Sequence, residues 1–324
     1  MALLTPMSLQ QAQAVGACFG LDVVAIDPVP HGSVNSNFAL RLRDGGRAFL
    51  RLCEESDFEA VTAQNRLLTR LVDAGVPTPA PIPRVDGEGT VATHAGKPVA
   101  VFGWCDGGWI CQQRVTAAHL ERVGEVIGLI HREGEGYVGA PENRFAFAAL
   151  RGRLAGSSDD AITDEVAGHV AMLADLVDEL APRLASIPAT TVVHGDVFRD
   201  NVLWTDDGEL SAVLDFESAS MGHPAFDLMV TMLAWCFSDR LEQRLARTLV
   251  RGYRRERELS ADELAVCHLQ ARAAAVRFAI TRITDYELRP AGVVVYKDYR
   301  RFIARLAALD AIGEDAFVEW LGCG

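Results

Sequence analysis

The stretch from Val192 to Leu203 reads VVHGDVFRDNVL, and the sequence VLDFE follows it at Val213 to Glu217. In both stretches, polar residues come directly after an apolar run that is typical of a buried strand. A TDDG turn lies between the two runs and predicts a hairpin, which would place Asn201 beside Asp215. Asp196 would then lie on the loop that leads into this hairpin.

These oxygen-bearing side chains suit phosphoryl transfer. Mg²⁺ takes one or two protein oxygens together with phosphate oxygens, so Asn201 and Asp215 are the predicted metal ligands. Asp196 is the predicted catalytic residue, a carboxylate that orients an acceptor hydroxyl and accepts its proton. The spacing D-x-x-x-x-N followed by D-F is typical of a kinase catalytic loop and its metal-binding aspartate. We assign His194 and Asp227 to structural support of this loop.

Away from this stretch, the sequence changes character after a segment near residues 102–108. Before it, β-type alternation and turn signals predict a sheet-rich region with few helices. The predicted strands are 22–30, 38–43, 47–54, 90–94 and 98–104, with helices at 8–19 and 58–74. After it, helical patterns dominate, at 117–132, 164–184, 224–237, 240–257, 261–286 and 296–309. We therefore expect an α+β protein with two lobes, a small antiparallel β lobe over 1–105 and a mostly helical lobe over 106–324.

Charge and composition exclude several classes of protein. The 324 residues include 31 Lys and Arg against 44 Asp and Glu, a net charge of −13, which argues against a nucleic-acid partner or an anionic membrane. No apolar run reaches the roughly 18 residues that a membrane span needs. We find no signal-peptide pattern, and the seven cysteines contain no C-x-x-C pair. These features predict a cytoplasmic protein with reduced thiols.

The predicted nucleotide-binding residues lie in the β-rich region, which lacks a G-x-x-x-x-G-K-[S/T] loop. A polar turn between the first two strands could bring backbone N–H groups to phosphates. Its residues are Ser33, Val34, Asn35, Ser36 and Asn37.

Two further features of this region are candidates for nucleotide binding. Arg51 in the third strand could bind phosphates through its guanidinium, although a solvent-facing strand arginine is the alternative. The sequence does not identify which carboxylate would pair with Arg51. Phe102, Gly103 and Trp104 form a predicted hinge, whose backbone groups would bind adenine.

The acceptor pocket is expected in the helical lobe. Arg277, Arg282 and Asp285 lie on one predicted helix and could bind the carboxylate and ammonium of an amino acid, or could simply form a salt-bridged helix face. Trp235 could line the pocket or belong to the core. Glu217 could contact a cationic substrate or cap a loop.

The chain resembles the aminoglycoside phosphotransferase and choline kinase group of protein-kinase-like enzymes. The resemblance rests on His194-Gly195-Asp196, Asn201, Asp215-Phe216, Gly222-His223-Pro224 and Asp227-Leu228, and it covers nearly the whole chain. It implies a bilobal protein-kinase-like fold that uses ATP and Mg²⁺.

A narrower resemblance is to type II homoserine kinases. It rests on Gly32–Phe38, Leu71–Pro83, Asp196–Val202, Asp227–Phe237 and the late helix with Pro290-Ala291-Gly292. Two positions differ from that family, which more usually has Ala at Gly195 and two aromatic residues at Glu217-Ser218. These differences bear on the substrate rather than on the reaction.

We therefore predict a phosphotransferase that uses ATP and Mg²⁺ to phosphorylate a hydroxyl of a small molecule, preferably L-homoserine. An aminoglycoside, choline or another small acceptor is the alternative within the same fold. A nucleotide-binding module without turnover and a metal-dependent hydrolase are alternatives of other classes. The expected partners are ATP and the acceptor, with no nucleic acid and no membrane, and the protein is expected to be a monomer or homodimer.

Overall fold

The computed structural model describes residues 4–29, 34–141, 143–155, 163–288 and 296–322. The chain forms two compact units. The first contains the described residues up to Gly107, with Gly139–Pro141 and Trp204–Leu214. The second contains Gly108–Val138 and the described parts of Glu142–Leu203 and Asp215–Gly324. Trp204–Leu214 groups with the first unit because it packs there: the Val213 N–H donates to the Pro77 carbonyl at 2.7 Å.

The first unit is built on a five-stranded antiparallel sheet with the order β1-β2-β3-β5-β4. Its elements are α1 (Leu9–Cys18), β1 (Val23–Pro28), β2 (Ser36–Leu42), β3 (Arg47–Leu52), α2 (Phe58–Asp73), β4 (Val91–His94) and β5 (Lys97–Gly103). Alternate residues of β3, namely Ala48, Leu50 and Leu52, are buried. They share a core with Ala12 and Val15 of α1, so the period of two in the sequence gives this sheet one buried face.

The second unit is mostly helical. Its helices are α3 (Ala117–Gly134), α4 (Phe147–Ala155), α5 (Asp164–Ala185), α6 (Pro224–Trp235), α7 (Gln243–Glu256), α8 (Ala261–Ala265), α9 (Cys267–Arg282), α10 (Arg300–Ile312) and α11 (Glu314–Trp320). Four short strands follow α5 in the chain, namely β6 (Thr191–Val193), β7 (Val202–Trp204), β8 (Leu210–Val213) and β9 (Ser220–Gly222). Of these, β8 and the last residue of β7 belong to the first unit. β6 pairs with β9 in antiparallel register.

α3 and α7 cross through two glycines. A Cβ atom on Gly252 would lie 2.0 Å from the Glu121 carbonyl oxygen, and one on Gly124 would lie 2.2 Å from the Leu249 carbonyl oxygen. No other residue fits at either position without moving a helix backbone. This close approach brings together His131 on α3 and Tyr253 on α7, whose side chains contact each other at 2.9 Å.

The predicted fold class is confirmed, since an antiparallel sheet is followed by a mostly helical unit. Several element boundaries were wrong. The predicted helix 261–286 is interrupted at Val266 and ends in a π-helical segment, Ile283–Glu287. The last predicted long helix starts at Arg300 instead of residue 296. The Asp298 carboxylate accepts the Arg300 N–H at 2.9 Å, a local side-chain bond that competes with helical hydrogen bonding, and the helix begins after Tyr299 without a side-chain cap. The sequence analysis missed α4, α11 and the three-residue β9.

Candidate active site

The main chain before Asp196 is held by one buried carboxylate. Asp227, in the first turn of α6, accepts the N–H of His194 through Oδ2 and the N–H of Gly195 through Oδ1, each at 2.7 Å. Gly195 has φ +76°, a left-handed conformation that favours glycine. The loop after β6 is thereby fixed one residue before the predicted catalytic carboxylate. Asp227 thus lies where the sequence analysis placed a support of this loop.

Asp227 has a third partner, since its Oδ2 lies 3.1 Å from His131 Nε2. Both side chains are fully buried. Burial alone would raise the pKa of Asp227, but the hydrogen bond and charge of His131 and the N–H of His194 lower it below its usual value. The carboxylate is therefore ionised at neutral pH and accepts hydrogen bonds from both sides.

Asp196 has both a positioning partner and a cation beside it. Asn201 Nδ2 donates to the Asp196 carbonyl at 2.8 Å and to its Oδ2 at 3.2 Å, while Arg277 Nη1 lies 3.9 Å from Oδ1. Burial raises the pKa of Asp196 to about 7, against the lowering effect of Arg277 and with a further rise from the charge of Asp215. A carboxylate with a pKa near neutrality suits a general base.

Asp215 follows β8 with φ +66° and ψ +65°, a left-handed conformation that is uncommon for a residue with a side chain. Its Oδ1 accepts the Glu217 N–H at 3.4 Å. The next residue, Phe216, is buried, and the centre of its ring lies 4.4 Å from the centre of the His194 ring. Asp215 acts electrostatically on Asp196, so the structure brings both carboxylates and Asn201 to one place.

This donor set fits one Mg²⁺ ion. Asp215 and Asn201 offer a carboxylate and an amide oxygen, which are hard donors, and phosphate oxygens would complete the coordination. The charge repulsion between Asp196 and Asp215 would also be relieved by a cation. Within the described ranges, no group of three or more His, Cys, Asp or Glu side chains offers an alternative metal site.

Arg277 and Arg282 end up in different surroundings. Arg277 is 4% exposed and donates through Nη1 to the Gly195 carbonyl at 3.0 Å. Burial lowers its pKa to about 10 and Asp196 opposes this, so the guanidinium is charged at neutral pH. Arg282 Nη1 donates to the Asp298 carbonyl at 2.9 Å, with its guanidinium 4.5 Å from the centre of the Phe302 ring.

The other predicted acceptor-site residues are engaged within the protein. Asp285 lies in the π-helical segment and pairs with Arg153 at 2.6 Å. Trp235 is fully buried, and its indole N–H donates to the Val197 carbonyl at 2.9 Å, so it supports the catalytic loop from the core. Glu217 is half-buried in the single helical turn after Asp215.

In the first unit, the predicted polar turn between β1 and β2 is shorter than expected, because Ser36 and Asn37 pair with β3 and belong to β2. Ser33 lies outside the described residues, and Val34 lies in a bend. Asn35 accepts the Glu54 N–H at 3.1 Å. Ser36 is fully buried and donates to Glu54 at 2.5 Å.

The strands place the remaining nucleotide-side candidates around β3. Arg51 pairs in register with Asn37 on β2, which is 7% exposed. The Arg51 guanidinium lies 6.0 Å from the Phe102 ring centre on β5. Gly103 ends β5, and its N–H donates to the Ala80 carbonyl at 2.9 Å. Trp104 follows directly, with its indole N–H 3.2 Å from Asp106.

The sequence analysis did not include two lysines that form ion pairs near the candidate residues. Lys97 forms an ion pair with Glu54. Lys297 lies 3.5 Å from Asp200 of the catalytic loop and acts electrostatically on Asp196. Neither lysine belongs to a recognisable motif. Their positions depend on contacts between residues 43 and 97 positions apart.

A cavity of about 200 Å³ lies beside the catalytic loop in the second unit. Gly195, Arg277 and Phe145 line it, together with other apolar and uncharged polar residues. None of its described lining residues is an aspartate or a glutamate.

Comparisons with known proteins identify the family and the relatives of this chain. A family model described as "Phosphotransferase enzyme family" matches residues 25–259. The chain is 32% identical over 312 residues to a homoserine kinase of Caulobacter vibrioides (strain NA1000 / CB15N), covering 95% of this chain and 97% of that protein. It is 34% identical over 295 residues to a homoserine kinase of Caulobacter sp. (strain K31), covering 88% of each chain.

A solved structure shows the same fold. An amicoumacin kinase in complex with AMP-PNP and Ca²⁺ superposes with a TM-score of 0.70 at 15% identity, covering 95% of this chain and 94% of that one. The fold implied by the sequence resemblance is therefore confirmed. None of the described helices has both the length and the apolar content needed to cross a membrane.

Proposed function

The chain belongs to the phosphotransferase enzyme family and is a small-molecule kinase, and on that premise we propose that it transfers the γ-phosphoryl group of ATP to the hydroxyl of L-homoserine. The choice of acceptor is supported by the homoserine kinases that match nearly the whole chain. The main structural support for this reaction is the position of the Asp196 carboxylate. It lies beside Asn201, on a loop whose main chain is held by Asp227.

Asp196 orients the acceptor hydroxyl and accepts its proton as the hydroxyl oxygen attacks the γ-phosphorus. The bond from that phosphorus to the β–γ bridging oxygen breaks, and ADP leaves with the electron pair. Because Asp227 and Asn201 fix the loop, the carboxylate is placed before the acceptor binds, and positioning of this kind supplies much of the rate enhancement in phosphoryl transfer.

Asn201 and Asp215 would hold Mg²⁺ through their oxygen atoms. The ion, when bound, neutralises charge on the phosphate oxygens. In the first unit, the Arg51 guanidinium and the backbone N–H groups of the residues from Ser33 to Asn37 would bind the phosphates. The backbone at Phe102, Gly103 and Trp104 would bind adenine.

The proposal is tested by measuring ADP release from MgATP with purified protein. L-Homoserine, L-serine, L-threonine, choline and several aminoglycosides serve as acceptors, and the Asp196→Asn variant is the control. We expect release with L-homoserine that the variant abolishes. A clear preference for choline or an aminoglycoside would overturn the proposed acceptor while leaving the kinase assignment intact.

Neither of the other classes is favoured. A binding module without turnover has no need of an intact catalytic carboxylate with both metal-binding side chains beside it. A metal-dependent hydrolase is disfavoured because the relatives that match most of the chain are homoserine kinases.

A further inference from the structure

The buried guanidinium of Arg277 is the starting point. It is 4% exposed and lies between two aromatic rings, 4.2 Å from the centre of Phe145 and 3.9 Å from that of Phe278. Its Nη1 donates to the neutral Gly195 carbonyl. Its Nε is buried with no hydrogen-bond partner among the residues that the structure describes. A desolvated cation with an unused donor is costly unless a ligand completes its hydrogen bonds.

The other cations near Asp196 have partners of their own. Arg153 forms an ion pair with Asp285 at 2.6 Å, and Lys297 lies 3.5 Å from Asp200. Arg282 donates to the Asp298 carbonyl. The nearest carboxylate of Arg277 is Asp196 itself, at 3.9 Å, which is longer than a charge-assisted hydrogen bond. Arg277 and Arg282 thus each donate to a neutral carbonyl, and of these two described cations only Arg277 lines the cavity.

The cavity beside Arg277 has the size and charge for a small carboxylate. Its volume of about 200 Å³ lies below the roughly 300–1,000 Å³ of drug-sized ligand sites. Its lining includes no acidic residue from the described chain, and burial lowers the pKa of His223, so this imidazole is neutral at pH 7. Arg277 then supplies the fixed charge of the cavity wall.

We propose that Arg277 binds the α-carboxylate of the acceptor in this cavity and thereby selects an amino acid over an amino alcohol. The inference rests on the proposed function. In L-homoserine, three carbon atoms separate the hydroxyl oxygen from the carboxylate carbon. A molecule of that length can place its hydroxyl at Asp196 and its carboxylate at Arg277, because the two side chains lie 3.9 Å apart. Asp196 does not line the cavity, so the hydroxyl end of the acceptor would lie outside it while the carboxylate lies inside.

A purely positioning role is the rival explanation, because Arg277 also holds the Gly195 carbonyl. The two roles differ in their dependence on the acceptor. Loss of a positioning residue slows every acceptor alike. Loss of a carboxylate-binding residue slows only acceptors that carry a carboxylate.

The test compares L-homoserine with 3-aminopropan-1-ol, which is homoserine without its carboxylate. We expect Arg277→Met to lower the ratio of kcat/KM for the two acceptors by about 30-fold, mostly through KM for L-homoserine. Arg277→Lys, which keeps the charge, should recover part of the ratio. Arg272→Met is the matched control, because Arg272 lies on the same helix but pairs with Glu179 and Asp310 away from the cavity, and it should leave the ratio within about threefold. Equal losses for both acceptors would overturn the carboxylate assignment.

A binding measurement gives a second readout without turnover. In the Asp196→Asn background, Arg277→Met should raise the Kd of L-homoserine by about 30-fold and leave that of MgATP unchanged. An unchanged Kd for L-homoserine would overturn the inference. If Arg277→Met does not fold, Arg277→Lys decides, and equal losses for both acceptors count against the inference. A wild-type preference for 3-aminopropan-1-ol would instead overturn both the proposed acceptor and the carboxylate site.

Discussion

The catalytic loop and the polar turn before β2 are both rich in polar residues, yet they use their side chains in opposite ways. In the loop, distant residues hold the main chain: Asp227 binds two N–H groups and Trp235 donates to the Val197 carbonyl. At the turn, Asn35 and Ser36 instead use their own side chains to hold other parts of the chain, since both bond to Glu54, 19 and 18 positions further along. A polar side chain is thus available for chemistry where other residues hold its backbone.

Removal of the Asp196 carboxylate from the catalytic loop should have the largest effect on activity. We expect Asp196→Asn to lower kcat by about a thousandfold, because the acceptor proton loses its base. The free energy of unfolding should change little, since Asn201 can still donate to the residue-196 carbonyl. ADP release and urea unfolding measure the two effects.

The matched control for this loss is Asp206→Asn in the exposed turn after β7. It should change kcat by less than about twofold, as surface substitutions away from the site do. A similar loss of activity in both variants would contradict the assignment of Asp196.

The support beneath the loop should give the largest effect on stability. Asp227→Asn removes a buried charge from two N–H groups and from His131, so we expect the free energy of unfolding at pH 7 to fall by about 3 kcal/mol. We also expect kcat to fall about tenfold as the loop loses its position.

The pH dependence of that stability loss follows from the lowered pKa of Asp227. A carboxylate whose folded pKa lies below its unfolded value stabilises the fold above the unfolded pKa, and this contribution disappears as pH falls through the folded pKa. The stability difference between wild type and Asp227→Asn should therefore be constant from pH 8 to about 5 and shrink below about pH 4. Urea unfolding across this range would contradict the prediction if the difference grew at low pH.

The helix crossing behind this support gives a smaller effect. Gly252→Ala should lower the free energy of unfolding by about 2 kcal/mol, because the new methyl group would strike the Glu121 carbonyl. Gly168→Ala in the exposed part of α5 is the control, since nothing lies within 4 Å of its added methyl group. It should stabilise by up to about 1 kcal/mol. Equal changes in melting temperature for the two variants would argue against a tight crossing.

Ser36, the first residue of β2 after the turn, should show the smallest effect, and this result sharpens the comparison. Ser36 Oγ accepts the N–H groups of Leu4 and Thr5, each at 3.0 Å, so Ser36→Ala should lower the free energy of unfolding by about 1 kcal/mol. KM for ATP should stay within about twofold. A large rise in KM for ATP with unchanged stability would show that the side chain itself binds nucleotide.

The proximity of the candidate site residues could be predicted from sequence because it depends on residue type at fixed spacing. Asp196 and Asn201 are five positions apart on one short loop, so local structure alone brings them together. Asp215 required only that the hairpin close. β3 followed from period-two alternation, because its residues are buried at alternate positions, whereas β5 is buried at five consecutive positions and was predicted from its apolar run and the turn before it.

The parts that depend on distant contacts could not be predicted. Arg277 reaches the Gly195 carbonyl across 82 positions of sequence, and no local pattern distinguishes it from Arg282. Lys297 meets Asp200 in the same way. On the nucleotide side, backbone groups carry the expected contacts, and these are largely independent of side-chain identity.

The left-handed backbone of Asp215 costs the fold stability, whereas the proposed reaction needs the aspartate side chain at that position. Glycine would relieve about 1 kcal/mol of steric strain at that position, so a search for thermostable variants should favour Asp215→Gly. Every such variant would lack a proposed metal ligand. Retention of aspartate there would then be evidence of selection for turnover, and a natural relative with glycine at this position would be a candidate for a kinase that has lost its activity and kept its shape.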